Sequence, residues 1–182
     1  QHVAAYDTAV AAYLRGEEPF PPVVTYAFQK LADLRYGENP HQRGAVYRGL
    51  DITPGAADGV ATAELLHGLA MSFVNYVDAD GAWEAVWDFE EPTCVIVKHA
   101  TPCGLASDVD IVTAYTLALA ADPVSAYGGI VAFNRPVDER LATAVREVRN
   151  PLSGLRQRYD VLIAPDYTPE GLRILKGKSK DL

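Results

Sequence analysis

The segment VIVKHATPCG, residues 95–104, carries an apolar, partly β-branched run straight into Lys98 and His99. Imidazole titrates near neutrality and accepts protons, and an ammonium beside it can donate to a developing oxyanion. The pair therefore has the parts for base-assisted attack on a carbonyl. Neighbouring side chains on a strand point to opposite faces, but at a strand end that constraint loosens and both groups can reach one pocket. Spacing alone leaves the plainer reading open as well, an exposed polar pair where a strand meets solvent.

Other chemistries fit the residues less well. TPCG resembles the P-C-x-x-C of zinc nucleotide deaminases, but the second thiolate would have to stand at Ala106, and no H-x-E precedes it. His2, His41, His67 and His99 are scattered without an i,i+4 pair, and Cys94 and Cys103 form no disulfide or metal-ligand pattern. Neither a Walker-type loop nor a G-x-G-x-x-G turn occurs. A Schiff base on Lys98 with a pyridoxal-type cofactor is conceivable, with no other residue pointing to it. Two further polar clusters stand out. Arg35, Asn39 and His41 lie in the Gly/Pro-containing stretch LRYGENPHQ, and Arg146, Arg149, Arg156 and Arg158 crowd around Pro151 and Gly154. Each reads either as a solvated loop or as a ligand surface.

The elements that must position these groups are legible from periodicity and punctuation. Residues 4–14 have helical spacing, and the Pro-rich GEEPFPPVV after them cannot continue a helix. A short strand is expected near residues 45–47. Residues 72–88 form one helix weakened at Gly81, or two short ones. A strand covers 94–97 and stops at Thr101-Pro102. Residues 107–121 are the clearest helix, with Ser107 and Asp110 in a capping-box pattern. A strand at 128–133, a helix at 138–148, a strand at 160–165 and a helix from Thr168-Pro169 complete the list. Strands alternating with helices predict a layered α/β fold with mostly parallel strands. In such sheets functional groups collect at the carboxyl ends of strands. Lys98-His99, Asn134-Arg135 and Pro165-Asp166 all follow apolar strands, and SAYGG enters the second of them with a Gly pair that admits close backbone approach.

The chain has 182 residues, enough for a sizeable core, and a net charge of −8. That balance argues against nucleic-acid or anionic-membrane partners, which need a basic field, though local cations still admit an anionic small molecule. No signal peptide and no membrane-spanning apolar run is evident, so a cytoplasmic location is expected. The first residue is Gln1 and the only methionine is Met71, which predicts a piece of a longer chain.

Four segments in order, LRYGENPHQ, VIVKHATPCGLA, DPVSAYGGIVAFNR and DVLIAP, resemble the formyltransferase domain of the AICAR transformylase/IMP cyclohydrolase family. The opening HVAAYDTAVAAYL is similar to the last helix of that family's cyclohydrolase domain. The resemblance implies that residues 1–25 are the terminal helix and linker of the upstream domain, and that residues 26–182 are the first, incomplete part of the transformylase domain. It implies an α/β fold with cytidine-deaminase-like subdomains that lack zinc. The reaction implied is formyl transfer from the co-substrate 10-formyltetrahydrofolate to the 5-amino group of AICAR, giving FAICAR, chemistry that requires no metal.

By the same resemblance His99 is the general base and Lys98 the group that meets the formyl oxygen. Arg35 and Tyr36 fall in the AICAR-binding loop, and Asn75, Tyr127 and Gly128 lie near the nucleotide. Asp160 would bond its heterocycle. The segment before Asn75 departs from the family, with Gly68-Leu69 where many members have Gly-Lys. The resemblance further implies a homodimer in the intact protein, and inactivity of the isolated segment because much of the folate site lies downstream. A second function class remains open, a non-catalytic scaffold piece that keeps the fold and the nucleotide-site residues.

Overall fold

The structure, a computed structural model, describes residues 1–50 and 59–177. The first helix, α1 (His2–Arg15), ends at Gly16 with φ 66°, and none of its side chains is buried among the described residues. An antiparallel pair follows, β1 (Phe28–Asp33) and β2 (Ala45–Gly49). Sequence reading finds β2 but not β1, whose six residues are all exposed and so carry no alternating apolar signal. The expected transformylase-like span, 26–182, includes 51–58 and 178–182, which lie outside the described residues.

The main body is a four-stranded sheet in the order β4-β3-β5-β6, made of β3 (Thr93–Val97), β4 (Pro102–Ser107), β5 (Gly129–Phe133) and β6 (Tyr159–Ile163). Helix α2 (Phe73–Trp87) and the 3-10 turn Gly59–Thr62 cover one face, where Val95, Val97, Ile130 and Ala132 are buried. Helices α3 (Ile111–Ala121), α4 (Glu139–Glu147) and α5 (Pro169–Lys176) cover the other, over Cys94, Ile96, Val131 and Phe133. The strict alternation between faces is the period-two rule of a strand, and burial on both sides explains why β3 and β5 read as unbroken apolar runs. The layered α/β architecture expected from the sequence is therefore present.

Strand direction differs from expectation. β3 is antiparallel to both β4 and β5, and only β5 and β6 run parallel. Pro102 does not end the strand signal; it opens β4, where a missing N–H is tolerated. Its pairing also moves the start of the next helix. Ser107 closes β4 opposite Thr93, with 2.7 Å between the two hydroxyls. The N-cap of α3 is instead Asp110, which accepts from Val112 N and Thr113 N. The capping box expected at Ser107 is lost to a cross-strand partner that local pattern does not reveal.

Helix α2 is continuous through Gly81. A Cβ at that position would sit 3.2 Å from the carbonyl oxygen of Ala100, so the helix approaches the turn after β3 more closely than a side chain comfortably allows.

Candidate functional site

Because β3 opposes β5 and β6, its carboxyl end abuts their amino ends. Val97 pairs with Ile130, and Gly129 pairs with Tyr159. Lys98 therefore leaves β3 beside Tyr127, Gly128 and Asp160. Its ammonium donates to the carbonyl of Tyr127 at 2.5 Å. Gly128, at φ 71°, takes a left-handed conformation that L side chains rarely adopt. A Cβ there would lie 3.2 Å from Lys98 Nζ and 4.0 Å from Asp160 Oδ1. These atoms surround one point at the sheet end. His99 adjoins it and is exposed, and the peptide between Lys98 and His99 is cis.

The other strand ends do not contribute. Asn134 follows β5 at the opposite edge of the sheet and is buried. Its Oδ1 accepts from Thr93 N at 2.8 Å, while its Nδ2 donates to the carbonyls of Phe89 and Glu91 at 2.9 and 2.8 Å. It ties the entry of β3 to the exit of β5. Arg135 donates to the carbonyls of Asn134 and Glu90. The expectation that three carboxyl ends would gather one site fails because it assumed parallel strands.

Arg35, Tyr36 and Asn75 form a second group at the start of α2. Arg35 N donates to Met71 O at 3.2 Å, and Phe73 N donates to Tyr36 O at 3.1 Å. The Arg35 guanidinium lies 5.0 Å from the centre of the Tyr36 ring and donates to its hydroxyl at 3.3 Å. Asn75 Oδ1 accepts from the backbone N and the hydroxyl of Ser72, completing a capping box. A side chain read as nucleotide-binding thus also holds the helix start. An open groove of about 480 Å³ beside this loop is lined by Gly37, Arg43, Gly44 and Phe73, among others.

Helix α2 joins the two groups. Three residues past Asn75, or about 4.5 Å along the axis, the buried Asp78 accepts from Ala100 N at 2.6 Å. Sequence reading missed this residue. Its signal was an acidic side chain flanking the apolar stripe Ala79, Ala82 and Val86.

Burial pushes the thiols of Cys94 and Cys103 up, so neither is poised as a thiolate nucleophile. No group of three or more His, Cys, Asp or Glu residues suited to a metal ion occurs among the described residues. No helix among them is long and apolar enough to cross a membrane. In the Arg-rich stretch, Arg149 Nη1 donates to Gly154 O at 2.9 Å, and Arg149 forms an isolated bridge with Arg156. That side chain closes its own loop. A second groove, about 620 Å³, lies at the first turns of α4 and α5 and holds none of the sequence-derived site residues. Its lining sets Asp138, Glu139 and Glu170 beside Arg140.

Comparison with known proteins follows the same direction. Residues 1–182 match the model of the AICARFT/IMPCHase bienzyme family. The bifunctional purine biosynthesis protein PurH of Xanthomonas campestris pv. campestris (strain 8004) is 48% identical over 180 residues, covering 93% of this chain and 32% of the relative. The PurH of Acetivibrio thermocellus is 42% identical over 181 residues, covering 98% of this chain and 33% of the relative. That of Xanthomonas oryzae pv. oryzae (strain PXO99A) is 45% identical over 187 residues, with 97% and 33% covered. The chain spans about a third of the length of these curated relatives.

Proposed function

Because the chain belongs to the AICARFT/IMPCHase bienzyme family, we propose that it supplies part of a folate-dependent formyltransferase of purine biosynthesis. A formyl group passes from 10-formyltetrahydrofolate to the 5-amino group of AICAR, giving FAICAR. The observation that supports this most directly is the gathering of Lys98 Nζ, Tyr127 O, Gly128 and Asp160 at one sheet end, with His99 exposed beside them.

The AICAR amine is aniline-like and a weak nucleophile, so its proton must leave as the new N–C bond forms. His99 takes that proton, which contributes on the order of 10²–10⁴-fold. The formyl oxygen becomes an oxyanion and meets the Lys98 ammonium. Collapse of this adduct breaks the bond to N10 of the folate, and the proton goes to the departing nitrogen. Arg35, Tyr36, Asn75, Tyr127, Gly128 and Asp160 hold AICAR, and no step requires a metal. Because the chain spans about a third of its relatives' length, the same reading makes the full-length protein a homodimer that also carries IMP cyclohydrolase activity, and leaves the 182-residue segment inactive by itself.

The test uses the full-length protein. His99→Ala lowers kcat for formyl transfer by at least about 10²-fold while AICAR binding, followed by calorimetry, persists. Near-wild-type turnover by this variant would remove His99 from the chemistry. Absence of formyl transfer by the unaltered full-length protein, with AICAR binding retained, would favour a non-catalytic role.

A further inference from the structure

Asp78 is the only carboxylate among the buried polar residues described, at 3% exposure. The other buried polar side chains have local structural partners. Ser72 caps α2, Thr93 meets Ser107, Asn134 ties three strand-end groups together, and Asn150 and Gln157 bond each other. An ionised carboxyl only accepts hydrogen bonds, and its burial is costly without a donor. The donor at Asp78 is the backbone N–H of Ala100, at 2.6 Å.

Ala100 immediately follows His99 and stands at φ 59°, the single non-glycine residue of positive φ among those described. For a residue with a Cβ this conformation is unfavourable, so something must hold it. The bonds internal to the turn are long. Lys98 N to Thr101 O and Thr101 Oγ1 to His99 O both measure 3.4 Å. The bond from Ala100 N to Asp78 is the short one, and its acceptor stands on the helix packed under the turn. Gly81, one turn further along, leaves room for the Ala100 carbonyl.

We infer that Asp78 is a positioning residue for His99: by fixing the Ala100 N–H on the buried face of α2, it sets where the imidazole stands relative to Lys98 and to the nucleotide group at the helix start. The inference rests on the assignment of Lys98 and His99 as the reacting pair. Asp78 touches neither substrate nor the transferred group, and it acts through the backbone.

The experiment compares Asp78→Ala and Asp78→Asn in the full-length enzyme, each with and without His99→Ala. Asp78→Ala removes the acceptor and lets the turn relax, so kcat falls by about 10²-fold, with KM for AICAR changed by no more than about threefold. Asp78→Asn keeps an oxygen in the same place and returns kcat to within a few-fold of wild type. In the His99→Ala background the Asp78→Ala change costs little more, because the group it positions is gone. Asp78→Ser, which keeps a polar group but withdraws the acceptor, serves if Asp78→Ala does not fold, and it shows the same loss of kcat.

A purely structural role would make Asp78→Asn and Asp78→Ala lower thermal stability and folded yield together while kcat per folded molecule stayed put. That outcome, or full additivity with His99→Ala, overturns the inference. If His99→Ala is inactive while Asp78→Ala turns over normally, the positioning role fails and the proposed function stands. If His99→Ala turns over normally, the function assignment fails first.

Discussion

Lys98 and Tyr127, 29 residues apart, are joined where the end of one strand meets the loop before its antiparallel neighbour, with the Lys98 ammonium donating to the Tyr127 carbonyl. The bond fixes the amine beside Gly128 and leaves His99 on the open side of the turn. An ammonium on a four-carbon stem samples many rotamers in water. One bond to a fixed carbonyl removes much of that freedom before any substrate arrives.

Lys98→Met keeps the apolar stem and removes the donor. If the full-length protein carries out the proposed formyl transfer, its kcat falls about 10²–10³-fold. The melting temperature changes little, because Tyr127 is exposed and its carbonyl regains water. Steady-state kinetics beside a thermal melt separate the two effects, and an unchanged kcat would show that the ammonium does not meet the formyl oxygen.

Gly128→Ala and Gly154→Ala form a matched pair. Both glycines have φ near 70°, at 71° and 69°, so each substitution costs about 1–2 kcal/mol of stability. They differ in surroundings: a Cβ at Gly128 meets Lys98 Nζ at 3.2 Å, whereas nothing lies within 4 Å at Gly154. Gly128→Ala therefore loses turnover as well as stability, and Gly154→Ala loses stability alone. Equal kcat for the two variants would show that Gly128 serves only the backbone.

Alkaline stability depends on two buried phenols, Tyr115 and Tyr159, and a half-buried one, Tyr167. Burial raises Tyr115, Tyr159 and Tyr167 above the ordinary tyrosine range, and the Tyr159 hydroxyl donates to that of Tyr115 at 3.2 Å. A group whose folded pKa is raised contributes its full stability below the unfolded pKa. Above about pH 10 the unfolded chain ionises first, so stability falls as pH rises through that value. Replacing Tyr115 and Tyr159 together by Phe removes both hydroxyls of the pair, leaves stability at neutral pH nearly unchanged and makes the alkaline decline shallower. Thermal melts across roughly pH 8 to 12 read the slope, and an identical slope in the double variant would refute the assignment.

Much of the fold is legible locally. The apolar runs of β3 and β5, the helical spacing of α3 and the Thr168-Pro169 start of α5 are written in residue order, and each element forms close to where that order places it. β1 escapes notice because both its faces are exposed, β4 because Pro102 reads as a stop rather than a strand's first residue, and the start of α3 moves because Ser107 finds a partner on β3. Arg35, Tyr36, Asn75, Lys98, His99, Tyr127, Gly128 and Asp160 stand out together as candidate site residues only through the resemblance of whole segments to a family. Their chemistry and spacing alone left the bland reading open.

Residue order alone carries the layered α/β class, the type of most elements though not of β1 or β4, and the residues worth watching, because helix and strand periodicity and turn chemistry act over a few residues. Tertiary structure decided strand direction, and with it which ends meet. Antiparallel pairing of β3 with β5 brings Lys98 to Tyr127 and Asp160 and sends Asn134 to the far edge. It also put a buried carboxylate, Asp78, under the turn that carries His99. Such contacts join residues tens of positions apart and depend on packing free energy summed over the whole sheet, which no short window of sequence contains.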